Sequence, residues 1–220
     1  MADRTPSDPT QLSLGSPSPD QNLADHALSP DLNLSTRLQG LSIFLIGMMG
    51  VGKTTVGRLL AQGLGYRFVD TDALVEQVAG QSIPEIFAQE GEAAFRELES
   101  RVLSELSSYR RLVIATGGGI VVDRENWCHL HQGLTVWLDV PLDLLMERLE
   151  AERDHRPLLQ TEEPRTTLEF LLHQRRPRYA EADLMLTIET PEAPEQTCER
   201  ILAQIPSVLK TSEVEVESSD

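Results

Sequence analysis

Leu41-Ser42-Ile43-Phe44-Leu45-Ile46-Gly47-Met48-Met49-Gly50-Val51-Gly52-Lys53-Thr54 is the stretch that decides the fold. A short apolar run stops at Gly47 and gives way to a turn that fits G-x-x-x-x-G-K-[ST] at every fixed position. Residues 53–64 follow with Val56, Leu59, Leu60 and Leu64 on one helical face. Strand, glycine turn and helix together make an anion cradle. Glycines let successive backbone N–H groups face one point, and the helix N-terminus adds about half a positive charge there. Lys53 brings a mobile full charge for the β- and γ-phosphates, and the Thr54 hydroxyl is a hard oxygen ligand suited to Mg²⁺. The plain alternative, a glycine turn with a lone lysine, is disfavoured because motif and context agree. Binding of a nucleoside triphosphate follows; the second substrate does not.

Working outward, strand and helix patterns alternate. Tyr66–Val69 reads as a second strand closing at Asp70, Leu112–Ala115 as a third closing at Gly117-Gly118-Gly119, Thr135–Leu138 as a fourth and Leu184–Ile188 as a fifth. Residues 82–108 read as one long helix, with Ser82 and Glu85 forming a capping box at its start. Further helical patterns cover 141–153, 166–177 and 195–206. Alternation of this kind implies parallel strands joined by right-handed crossovers, so the expected class is α/β, a three-layer sandwich around a five-stranded parallel sheet. Ligands on such sheets sit at the carboxyl ends of the strands.

The flanks differ from this core. Residues 1–38 hold five of the thirteen prolines, many Ser and Asp and no aromatic residue, and are expected to form a flexible tail. Residues 211–220 form a second, acidic tail. The tails account for −3 and −4 of the formal −16, leaving −9 on residues 39–210, the expected folded domain. That charge argues against nucleic acid or an anionic membrane as the main partner. The longest apolar stretch is far shorter than the roughly 20 residues of a membrane span. Neither a signal peptide nor a transit peptide fits the N-terminus. Two cysteines, Cys128 and Cys198, stand in no metal-like spacing, which favours a reducing compartment, expected to be the cytoplasm.

Several charged residues fall where a ligand is expected. Asp70 at the tip of the second strand can reach a Mg²⁺ shell, through water. Asp72 can accept a hydrogen bond from a hydroxyl that attacks the γ-phosphate. The alternative for both is capping of a helix that starts near Ala73. Arg96 lies between Glu92 and Glu99, which alone would be a surface ion-pair ladder. Gly117–Gly119 exposes backbone N–H groups or simply makes a tight turn. Arg156-Pro157-Leu158-Leu159 sits in the charge-dense stretch 150–165, which looks like a mobile lid able to bring an arginine over the phosphates. Arg175-Arg176-Pro177-Arg178-Tyr179 gathers three arginines at a helix end of an acidic protein, which suggests a bound carboxylate or favourable capping.

Taken together, Gly47 to Thr55, Phe68-Val69-Asp70-Thr71-Asp72, Phe95-Arg96 with Glu99, Gly117-Gly118-Gly119, Arg156-Pro157-Leu158-Leu159, and Arg175 with Pro177 and Tyr179 resemble the shikimate kinases in order and spacing. These are P-loop kinases of the nucleoside-monophosphate-kinase fold. The resemblance implies transfer of the ATP γ-phosphoryl group to the 3-hydroxyl of shikimate, within aromatic amino-acid biosynthesis, with ATP as co-substrate and one Mg²⁺. It assigns ATP contacts to Gly50, Val51, Gly52, Lys53, Thr54 and Thr55, and to Arg156 in the lid; Lys53, Asp72 and Arg156 are the expected catalytic residues. Asp72, Arg96, Gly118 and Arg175 are the expected shikimate-binding residues, within substrate helices over 71–108. Thr54 would hold the metal directly and Asp70 through water, while Ala115 stands where relatives often carry Ser. Arg148 is a candidate neighbour of the adenine. A monomer is expected. The competing readings are a kinase for another small hydroxy acid such as gluconate, and a catalytically dead nucleotide-binding regulator. The acidic tails could also bind a basic partner.

Overall fold

The structure, a computed structural model, describes residues 32–150 and 163–209. Five strands, β1 (Ile43–Ile46), β2 (Arg67–Asp70), β3 (Leu112–Ala115), β4 (Leu134–Asp139) and β5 (Leu184–Thr187), form one all-parallel sheet in the order β2-β3-β1-β4-β5. The central strand β1 is buried along its whole length, as are β3 and β4. Continuous apolar strands of this kind are what a sheet covered on both faces requires. The strand after β1 lies two places to one side and β4 lies on its other side, so the chain reverses direction of travel at β1. A crevice opens above such a switch point, and the phosphate loop lies in it.

Helices α1 (Leu32–Arg37), α2 (Lys53–Leu64), α3 (Thr71–Ala79), α4 (Ile83–Gln89), α5 (Gly91–Ser107), α6 (Trp127–Leu130), α7 (Leu142–Glu150), α8 (Pro164–Tyr179) and α9 (Pro194–Val208) complete the described fold. Two expectations are corrected. The helix expected over 82–108 is two helices, because Gly91 turns the chain with φ +86° between α4 and α5. The regular apolar spacing on both sides hid this break. The Ser82 N–H does donate to Glu85 at 2.8 Å at the start of α4. The expected tail, drawn to residue 38, runs too far: α1 falls inside it, and Leu34 and Leu38 are buried in the core. Two leucines at helical spacing supply apolar burial that a proline-rich composition concealed. The rest of 1–38, all of 211–220 and most of the expected lid lie outside the described residues. No helix among the described residues is long and apolar enough to cross a membrane.

Candidate active site

The phosphate loop is shaped by its glycines. Gly50 and Gly52 have φ of +78° and +100°, a left-handed conformation that other residues adopt at a cost of about 1–2 kcal/mol. The turn delivers the chain to the N-terminus of α2, where Lys53 Nζ donates to the carbonyls of Gly47 (2.9 Å) and Met48 (2.8 Å). A pocket of about 170 Å³ beside the loop is walled by Gly50, Gly52, Lys53, Thr54, Thr55 and Asp70, among others. Arg148, on α7, donates to the carbonyl of Val51 at 3.1 Å, so it touches the loop rather than standing apart from it.

Asp70 caps α3 with one carboxylate oxygen and turns the other to the phosphate loop. Its Oδ1 accepts from the N–H groups of Asp72 (3.0 Å) and Ala73 (3.5 Å) and so caps α3, while its Oδ2 accepts from the Thr54 hydroxyl at 2.7 Å. Two hard oxygens thus meet at the mouth of the phosphate pocket, a donor set that fits Mg²⁺. Strand pairing sets Asp70 beside Ala115, whose methyl adds no third oxygen, and the neighbouring Thr116 hydroxyl is engaged with the Leu45 carbonyl.

A second pocket, of about 190 Å³, adjoins the first. Asp72, Met49 and Gly118 line both. Its polar wall carries Asp72, Arg96, Glu99 and Arg175, and its apolar wall Ile83, Pro84, Phe87 and Phe95. The structure therefore brings Asp72, Arg96, Gly118 and Arg175 together, within reach of the phosphate loop. Arg156 lies outside the described residues.

The two arginines differ in their company. Arg96 pairs with Glu99 and with Glu92 (3.1 Å), and its guanidinium lies over the Phe95 ring at 5.1 Å. Arg175 is 6% exposed, and no carboxylate among the described residues stands within ion-pair distance of it. Glu99 acts on it electrostatically without pairing, and the hydrogen-bond partners of Arg175 are the neutral Tyr179 hydroxyl and Met48 sulfur. Its guanidinium therefore keeps donors able to take an anion in the pocket it lines. The other two arginines of the run face elsewhere. Arg176 pairs with Asp139 at 2.6 Å over the Trp137 ring, and Arg178 pairs with Glu181 at 2.9 Å.

Glu99 lines the site and Thr71 and Tyr179 brace it, although the sequence reading made Glu99 only an ion-pair partner of Arg96 and gave the other two no task. Glu99 is 2% exposed; burial pushes its carboxyl above the ordinary range while Arg96 pulls it down. The Thr71 hydroxyl accepts from the Gly117 N–H at 2.8 Å and ties α3 to the turn after β3. The Tyr179 hydroxyl donates to the Gly118 carbonyl at 2.6 Å, and burial raises its pKa to about 12. Each sat beside a residue already singled out, but burial, the quantity that marks them, cannot be read from spacing alone. The glycine triplet serves space. A methyl group at Gly117 would sit 2.8 Å from Asp72 Oδ1 and strike Glu99, and one at Gly119 would sit 2.7 Å from Arg96 Cζ.

This geometry coincides with a family assignment. Residues 49–206 match the family model described as shikimate kinase. The chain belongs to the shikimate kinase family. A shikimate kinase of Synechococcus elongatus is 61% identical over 181 residues, covering 82% of this chain and 95% of the relative. One of Trichormus variabilis is 56% identical over 177 residues, covering 80% and 97%. Among solved structures, the shikimate kinase of Acinetobacter baumannii in complex with shikimate matches with a TM-score of 0.74 and 41% identity over 79% of this chain and 97% of that one. The shikimate kinase of Aquifex aeolicus matches with a TM-score of 0.64 and 36% identity, covering 76% and 97%. Membership in the family makes the chain an ATP-dependent kinase with the P-loop fold expected from the first motif.

Proposed function

We propose that the enzyme transfers the γ-phosphoryl group of ATP to the 3-hydroxyl of shikimate, yielding shikimate 3-phosphate and ADP. The observation that carries this reading is the position of Asp72 on the wall common to the phosphate pocket and the arginine-bearing pocket. An acceptor hydroxyl beside Asp72 faces a triphosphate held by the loop. Arg175 and Arg96 take the acceptor carboxylate, and Phe87 and Phe95 meet the ring. The hydroxyl oxygen attacks the γ-phosphorus, the bond to the bridging oxygen of ADP breaks, and Asp72 orients the hydroxyl and accepts its proton. Lys53 leaves the loop carbonyls for the transferring phosphate. Gly50 to Thr55 hold the nucleotide, and Gly118 contributes a backbone contact to the acceptor. Thr54, directly, and Asp70, through water, would hold one Mg²⁺, which supplies charge neutralisation at the phosphates when bound.

The proposed kinase domain is residues 39–210, extended backward by α1. Its substrate-binding helices lie within 71–108, with Gly118 and Arg175 joining the acceptor wall from outside them, and the proposed lid, over 150–165, brings Arg156 to ATP. A cytoplasmic monomer fits two free cysteines, one exposed and one buried. A coupled assay for ADP with shikimate or gluconate, with Mg²⁺ or with EDTA, tests the reading. Shikimate-dependent, Mg²⁺-dependent ADP release is expected. Faster turnover of gluconate overturns the choice of acceptor, and activity retained in EDTA overturns the metal assignment.

A further inference from the structure

The phosphate loop and the buried arginine meet at an atom that neither motif explains, the thioether sulfur of Met48. Arg175 Nη1 donates to Met48 Sδ at 3.9 Å, and the Tyr179 hydroxyl lies 3.6 Å from the same sulfur. Met48 is 1% exposed, so the contact is sealed from water. The backbone carbonyl of the same residue accepts from Lys53. One loop residue therefore touches the cation of the nucleotide pocket through its main chain and the cation of the acceptor pocket through its side chain.

A guanidinium needs a partner to fix its plane, and the nature of that partner decides how much charge is left for a ligand. A carboxylate would orient Arg175 and also neutralise it, as Glu92 and Glu99 do for Arg96. A thioether is neutral, polarisable and only a weak acceptor. Together with the Tyr179 hydroxyl, the other neutral group hydrogen-bonded to Arg175, it can take one edge of the guanidinium. Glu99 acts on Arg175 without pairing to it, so the remaining donors are left to a bidentate carboxylate. We infer that Met48 is a positioning residue for acceptor-carboxylate recognition, setting the plane of Arg175 jointly with Tyr179 from inside the nucleotide-binding loop. The inference rests on the proposed role of Arg175 in gripping that carboxylate.

Met48→Leu tests it, since the exchange conserves volume and apolar character and removes the sulfur. The KM for shikimate is expected to rise roughly three- to twelvefold, the upper part of the range of a lost ordinary hydrogen bond. The KM for ATP and kcat at saturation should stay within about twofold. A shikimate analogue with its carboxylate reduced to a primary alcohol gives the second readout. Its kcat/KM should be the same in both proteins, because there is no carboxylate to align. An unchanged KM for shikimate overturns the inference. So does a parallel rise in both KM values, or an equal loss with the analogue, since either marks simple packing of the loop. Absence of shikimate turnover in the unaltered enzyme defeats the function reading itself, and the inference with it.

Discussion

Asp72 and Gly119 carry the sharpest expectations about single side chains. Asp72→Asn keeps shape and hydrogen-bonding capacity and removes the base. Turnover should fall by about 10²–10⁴-fold, with ATP affinity measured by titration calorimetry nearly unchanged. Near-normal turnover would show that Asp72 does not handle the proton. At Gly119 the added methyl must displace the Arg96 guanidinium, since its nearest side-chain atoms include Cζ at 2.7 Å and Nη2 at 2.9 Å. Gly119→Ala should raise the KM for shikimate and lower stability by about 1–3 kcal/mol, read from urea midpoints. Tyr179 offers a test by pH. Its hydroxyl is raised to about 12 from an ordinary 10, chiefly by burial. The folded state therefore holds a proton that the unfolded chain gives up first. The stability linked to this group is complete below pH 10 and is lost as pH climbs towards 12. In alkaline urea titrations the unaltered protein should lose stability over that interval more steeply than Tyr179→Phe; parallel curves would contradict the assignment.

Among elements, the α4–α5 corner gives a prediction whose sign decides it. In a continuous helix, Gly91→Ala would stabilise by about 1 kcal/mol. At φ +86° the same change should destabilise by about 1–2 kcal/mol, a difference visible in thermal midpoints. This corner also shows where sequence reading stopped. Ile83, Ile86 and Phe87 continue into Phe95, Leu98 and Val102 with compatible spacing, so periodicity passed over a bend set by one left-handed backbone angle. The strands, by contrast, were legible to within a residue or two at each end. Apolar runs closed by glycine or aspartate have few other ways to pack. Of the site, the phosphate loop was readable because its chemistry is contiguous. The acceptor pocket was readable only as separate candidates. Arg96 looked like a member of a surface ladder until its neighbour Glu99 proved buried, and the run Arg175, Arg176 and Arg178 gave no hint that one arginine points inward while two make ion pairs.

At the scale of the whole molecule, α1 is part of the folded unit. Leu34 and Leu38 are 3% and 2% exposed, and Arg37 donates to the Pro206 carbonyl in α9 at 3.4 Å. A chain starting at Leu32 should melt like the full sequence. One starting at Leu41 loses two buried leucines, each worth about 2–5 kcal/mol when truncated, and should melt markedly lower in calorimetry. Equal melting of the two would show that α1 contributes nothing to the fold.

Three consecutive helices between two adjacent strands, α3 to α5, supply most of the acceptor wall, while the phosphate cradle comes from β1 and α2. The division separates what is common to phosphoryl transfer from what selects the recipient. Retooling this scaffold for a different hydroxylated acid would then centre on one contiguous cassette, with matching changes where Arg175 and Met48 bear on the same pocket from α8 and the phosphate loop.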